Sequence, residues 1–417
     1  MTEPACGQAR GGVRSRRLVG VDAARAVALI GMITFHIFPP TAPGVLAAVI
    51  ETVISGRAAA LFAVLAGVGI ALGTGGRTPL TGLERRGAAA GLCVRAAMLF
   101  VLGLILHFAL HPPVSVILDY YGIMFLVAIP LLGARPAVSA LLAAVCCVAG
   151  PVLSHLIRAQ FPSLIPHELL HDALGDLALA MVAGTFPVLP WMTYVLVGLA
   201  VGRLDLGRVR VGLGLLVGGT VLALISSGMS ALLLGPLGGS RSLALSGAGD
   251  DALHRTMSGT TPTDSWWWLC LTAPHSSTPF DLAHTTGSSL AILGLCLLLA
   301  RRFRRIVRLL ASIGSIPLTL YTVHIILIGP AHAAEPEGSL FQLGLQLVVV
   351  VIIAAAVRRT GGRGPLETMS AKLARAVRRA VTHGPRKFGP RYRHFSSRSS
   401  SRLKTSDSTV STGSSTS

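Results

Sequence analysis

The chain is short of charge. Only 13% of its 417 residues are Asp, Glu, Lys or Arg, about half the ~25% usual in soluble domains. That is too little polar surface to cover the core of a water-soluble protein of this length, so the soluble globular class is excluded. Acids are scarcest, 17 against 36 basic residues, which leaves a formal net charge of +19. Cysteines are few and scattered. Cys93, Cys146, Cys147 and Cys296 fall inside apolar blocks and only Cys6 and Cys270 outside them, so there is neither a disulfide framework nor a paired metal-ligand spacing. Walker A, a Rossmann glycine pattern after a strand, HExxH and GxSxG are all missing from the sequence, which removes the nucleotide-fold, zinc-protease and serine-hydrolase readings.

What the chain has is apolar length: 52% hydrophobic residues and a mean hydropathy of +0.68. This excludes disorder for most of the chain. The apolar residues come in blocks of about 20, the length that crosses a bilayer as a helix. Ten spans are expected, near 19–38, 54–73, 88–110, 114–132, 136–153, 185–202, 209–232, 283–300, 309–329 and 338–357. Even-numbered connections carry the arginines: Arg77, Arg85 and Arg86; Arg135; Arg203, Arg208 and Arg210; Arg301, Arg302, Arg304, Arg305 and Arg308. Odd-numbered connections hold little positive charge or an excess of acid. By the positive-inside rule both termini are cytoplasmic. The fold class is all-α, a polytopic transmembrane helix bundle, multi-pass in the cell membrane. Arg14, Arg16 and Arg17 before an apolar run mimic a secretory signal, but the run is expected to stay as an uncleaved first span. The division is 1–18 basic N-terminus, 19–357 membrane domain, 358–395 basic tail and 396–417 a disordered Ser/Thr-rich end.

From Arg358 onward there are 14 Lys and Arg against Glu367 and Asp407. Basic charge just after a span points to anionic lipid headgroups as partners, and no nucleic-acid motif accompanies it. Leu366, Met369, Leu373 and Val377 share a helical face beside Lys372, Arg375, Arg378 and Arg379, the pattern of a basic helix on the inner leaflet. Trp266-Trp267-Trp268 reads as an interfacial anchor or a sugar-binding surface. His167 and His171 beside Glu168 and Asp172 read as a polar outer helix, with a weak metal site as the alternative; no metal is expected.

Ionisable residues inside lipid are costly and persist where they face a cavity or one another. The span topology sorts them into two layers. Asp22, Arg25 and Arg95 lie near the cytoplasmic face; His36, Arg57, His107, Asp119, His284 and His324 lie near the outer one, with Tyr321 beside them. Asp281 and His284 are three apart, so they share a helix face if the helix has begun by Asp281; a carboxylate there can support a histidine as general base. Structural pairing at helix ends is the alternative for Asp22–Arg25 and Asp281–His284.

The stretch from Arg17-Leu18 through Asp22 and Arg25 to Met32 resembles the opening of proteins similar to heparan-α-glucosaminide N-acetyltransferase and of bacterial YeiB-like proteins, with Ala26 where glycine is usual. Gly56-Arg57-Ala58, Pro274-His275 with Asp281 and His284, Leu318-Thr319-Leu320-Tyr321 with His324, and Gly364-Pro365-Leu366-Glu367 extend the resemblance to about residue 370. It implies an acyltransferase that takes an acetyl or other acyl group from cytoplasmic acyl-CoA, with no permanently bound cofactor, and passes it to an extracytoplasmic sugar or other small-molecule hydroxyl or amine. On that reading Asp22, Arg25 and Arg95 hold the donor, His36 or His284 with Asp281 is the base, and Arg57 stabilises the oxyanion. His107, Asp119, His275, Tyr321 and His324 line the acceptor side. The alternative is a proton-coupled transporter with the same histidines as a relay. Oligomeric state is left open.

Overall fold

The computed structural model describes residues 18–38, 44–161, 181–247, 261–335, 338–361 and 363–383. Its described residues form helices and connections only. In chain order these are α1 (Val19–Ile37), α2 (Val45–Val53), α3 (Arg57–Gly73), α4 (Gly82–Leu110), α5 (Leu118–Ala128), α6 (Pro136–Gln160), α7 (Val188–Val201), α8 (Val209–Leu234), α9 (Gly239–Leu245), α10 (Pro279–Arg302), α11 (Arg304–Gly314), α12 (Pro317–Ala334), α13 (Leu340–Arg359) and α14 (Pro365–His383). Eight segments are long and apolar enough to cross a membrane, and Leu118–Gly133 and Val188–Val201 are shorter apolar helices. The protein is an all-α, multi-pass membrane bundle. The expected His167–Asp172 cluster and the residues 1–17 and 384–417 lie outside the described residues.

Two expected spans have different ends. The ninth is expected at 309–329, but α11 stops at Gly314 and α12 starts at Pro317, the first-turn position where a missing N–H costs nothing. Arg304, Arg305 and Arg308 make α11 amphipathic, and with 11 residues it is not among the candidate spans. The second, expected at 54–73, extends back through α2 as the apolar stretch Val45–Gly73; between α2 and α3 Gly56 turns the chain at φ +71°, a conformation that glycine adopts without strain.

Helix α1 is central, packing on α3, α10, α11, α12 and α13. Leu29, Ile33, Val64, Met124, Leu196 and Leu320 are fully buried in the core around it. The broadest contact joins α8 to α10. There Gly219 faces Gly287, and a Cβ on either would overlap the other's carbonyl oxygen. Small residues that let backbones touch are how helices associate in lipid, where apolar burial gives no drive. This crossing lies one turn from His284 and two from Ser227, and so sets their approach.

Helix α14 does not lie free on a surface. Ala374 is buried against α4, where Gly91 leaves room for it. Glu367 accepts from the Thr319 backbone N–H at 3.0 Å and from its hydroxyl at 2.6 Å, which clamps α14 to the start of α12. Met369 and Leu373 remain exposed, and so do Lys372, Arg375 and Arg379.

Candidate functional site

One end of the bundle gathers histidines from four elements. His36, in the last turn of α1, makes a 2.9 Å contact from Nδ1 to Nε2 of His324 on α12. The ring centroids are 5.2 Å apart and the planes 15° apart. Face-to-face rings would sit at ~3.5–4.0 Å van der Waals spacing, so the two imidazoles meet edge to edge along a hydrogen bond. His324 is buried, and its Nδ1 lies 2.6 Å from Gln346 Oε1 on α13. His36 is half-buried and its Nε2 has no partner among the described residues. His275 and His332 are close enough to His36 to interact with it electrostatically.

His275 sits in the connection before α10. It and Ser277 hold positive φ, 56° and 53°; strained non-glycine backbone of this kind persists where the surroundings over-determine it, commonly at functional sites. Its Nε2 accepts from the Gly56 N–H at 3.2 Å, and its ring lies 5.7 Å from that of Phe35. Burial pushes the His275 pKa down to about 4.

Arg57 opens α3 directly after Gly56. Its Nε and Nη2 both reach His284 Nε2, at 3.2 and 3.0 Å. A guanidinium only donates, so His284 is neutral there and its Nδ1–H faces Ser227 Oγ at 2.7 Å and the Ala223 carbonyl at 3.2 Å. Asp281 shares the first turns of α10 with His284 but does not bond it. Its Oδ2 accepts from the Ser277 N–H at 3.0 Å, while its own N–H donates to Thr278 Oγ1 at 3.1 Å. Thr278 thus caps the helix while the carboxylate reaches back to the residue before the cap, so the expected Asp281–His284 pair is not formed; the carboxylate is engaged by the backbone that precedes it.

His107 is exposed at the far end of α4, edge-on to Phe108 at 4.9 Å. Asp119, at the start of α5, is within electrostatic range of His107 and of Tyr321. Tyr321 is buried one turn from His324. These three therefore form a second polar group beside the histidines.

At the opposite end of α1, Arg25 Nη1 binds Asp22 Oδ1 at 2.8 Å. Arg25 reaches over Gly69, 3.2 Å from where a Cβ would stand. Beside it is a cavity of ≈ 90 Å³ lined by Gly69, Thr74, Gly91, Arg95, Arg375 and Arg378. Arg375 and Arg363 are near enough to repel Arg95. No carboxylate bonds Arg95, Arg375 or Arg378 among the described residues. Among those residues no group of three or more His, Cys, Asp or Glu is placed to hold a metal.

Residues 17–229 match the family model described as heparan-alpha-glucosaminide N-acetyltransferase, catalytic. The match spans slightly more than half of the chain. The chain belongs to this family. It is thereby a membrane protein of an acyltransferase family. No curated protein matches the chain. The matched segment carries Arg25, His36, Arg57, Arg95, His107, Asp119 and Ser227; His275, Asp281, His284, Tyr321, His324 and Gln346 lie beyond it. Sequence reading missed Ser227 and Gln346. The signal for Gln346 was there: Gln342 and Gln346 are polar residues one turn apart in the run Leu340–Val351, and uncharged amides inside a span are as much a sign of a bundle interior as ionisable ones.

Proposed function

We propose that the protein carries an acyl group across the membrane, from acyl-CoA at the arginine end to a hydroxyl or amine acceptor, such as a sugar, at the histidine end. The cell membrane, with the arginine end cytoplasmic, is the setting that the charge pattern supports. The observation that carries this reading is α1 itself. Arg25 beside the arginine-lined cavity and His36 with its open Nε2 are eleven residues apart on one helix, roughly 16 Å at ~1.5 Å per residue. A donor held by its phosphates at Arg25, Arg95 and the cavity would extend its thioester along α1 towards His36. Guanidinium groups suit phosphate because they bind it through paired, charge-assisted hydrogen bonds.

His36 is the better placed base, because the lone pair of His284 Nε2 already accepts from Arg57. His36 Nε2 takes the proton of the acceptor O–H or N–H as that atom attacks the thioester carbonyl. The tetrahedral oxyanion forms within reach of Arg57, which is positioned by His284 and Ser227 and carries donors to spare. Collapse of the intermediate breaks the carbon–sulfur bond, and the thiolate leaves with the proton from His36. The products are the acylated acceptor and free CoA thiol. His275, His107, Asp119 and Tyr321 border the acceptor side.

The test is transfer of label from acetyl-CoA in inside-out vesicles. His36→Ala is expected to lose about 10²–10⁴-fold in turnover, the usual contribution of a positioned general base. Transfer by His36→Ala at the wild-type rate would sink the assignment. Accumulation of an unmodified solute driven by a proton gradient would replace it with transport.

A further inference from the structure

Resting on that reading, we infer that Gln346 is a positioning residue: its side-chain carbonyl sets the tautomer of His324 and, through it, keeps the Nε2 lone pair of His36 free for the acceptor's proton. Gln346 Oε1 can only accept, so at 2.6 Å it requires a proton on His324 Nδ1. Neutral His324 then has its lone pair on Nε2, which must accept from His36 Nδ1–H across the 2.9 Å contact. Neutral His36, with its proton on Nδ1, is left with its lone pair on Nε2, the one ring nitrogen of the three-residue chain that has no partner among the described residues. The direction of the whole relay is thus decided at Gln346. Were the amide turned round, its N–H would donate to His324 Nδ1. Both rings would switch tautomer, and His36 Nε2 would carry a proton and be unable to accept one.

The helix that bears Gln346 is bonded to its neighbour. Gln342, one turn earlier on α13, donates from Nε2 to the Ala331 carbonyl at 2.7 Å. Ser339 caps the helix at the Gln342 N–H, at 3.2 Å. The Gln342–Ala331 bond ties α13 to the last turns of α12 and holds Gln346 opposite His324. Both glutamines are buried. A buried amide in a span is expensive unless its partners compensate; the Gln346 oxygen has its partner in the ring that supports His36, while its Nε2 has none among the described residues.

The test compares Gln346→Leu with Gln346→Glu in the full-length protein in vesicles, with donor and acceptor kinetics measured separately. Leucine removes the acceptor. Glutamate is nearly isosteric and, as a carboxylate, accepts without any way to turn round. The expected result is a kcat about 10–100-fold lower in Gln346→Leu, part of the ~10²–10⁴ that a positioned base contributes, with both KM values unchanged. Gln346→Glu should stay within about threefold of wild type. Thermal unfolding of both variants in detergent checks that each is folded. Two results overturn the inference: Gln346→Glu as inactive as Gln346→Leu while folded, or Gln346→Leu as active as wild type. His36→Ala separates the two levels. If it is inactive while Gln346→Leu is normal, only the role of Gln346 falls; if it is active, the base assignment falls as well.

Discussion

At the residue scale, His275 is a neutral acceptor, buried and bonded by the Gly56 N–H. Its depressed pKa has a consequence for stability. In the unfolded chain its pKa is 6.5, and in the folded protein about 4. Between those values the unfolded state binds a proton that the folded state refuses, so stability falls as pH falls through that window. The contribution is fully present above pH 6.5. From pH 7 to pH 5 the loss from this one group is about 2 kcal/mol, at 1.36 kcal/mol per unit. Thermal unfolding in detergent at the two pH values should show a smaller difference for His275→Gln than for wild type; an equal difference would show that His275 does not titrate in this way. Arg57 and His284 illustrate the other side of buried polarity. Each is costly alone in lipid, and together they are compensated. The sequence marks both as unusual, but spacing alone suggested Asp281 as the partner of His284. Thr278 lies three residues before Asp281, and this capping arrangement engages the carboxylate first. The true partner comes from a turn more than two hundred residues earlier, which no local pattern reveals.

At the scale of elements, α14 is a wall of the arginine-lined cavity. Its amphipathic pattern was legible as a membrane-surface helix. What the pattern did not show is the groove it fills, which exists because Gly87 and Gly91 on α4 have no side chains there. Its small face, centred on Ala374, meets the bundle, while the apolar and basic stripes flank it. If Arg375 and Arg378 help to hold the donor's phosphates, reversing both to glutamate should raise the KM for acyl-CoA about tenfold or more and leave kcat and the acceptor KM unaltered. An unchanged donor KM would restrict α14 to a structural or lipid-binding role. The membrane helices themselves were readable from length and hydropathy, because lipid requires each spanning segment to satisfy its own backbone. Their ends were less so. Arg304–Gly314 is separated from the ninth span by a proline and by its own arginines, features that an averaged hydropathy window blurs.

At the scale of the whole molecule, two ends are defined by contacts. The start of α1, the end of α3, the start of α4 and α14 meet at the arginine end; the end of α1 and the starts of α3 and α10 meet at the histidine end. If the arginine end is cytoplasmic, a membrane-impermeant thiol reagent applied to whole cells should label His111→Cys and spare Thr78→Cys, in a background lacking the six native cysteines. The reverse pattern would invert the orientation and place the donor cavity on the wrong side for acyl-CoA.

The bonds that assemble the histidine end join residues far apart in the chain: 288 positions for His36 with His324, 227 for Arg57 with His284 and 219 for Gly56 with His275. Synthesis runs from the N-terminus at ~5–20 residues per second. Over 200 further residues must leave the ribosome before Arg57 meets its imidazole, an interval on the order of 10–50 s at that pace. During biogenesis the guanidinium must therefore stay near the aqueous boundary, or within the insertion machinery, until α10 arrives. The site is closed last, by the second half of the polypeptide.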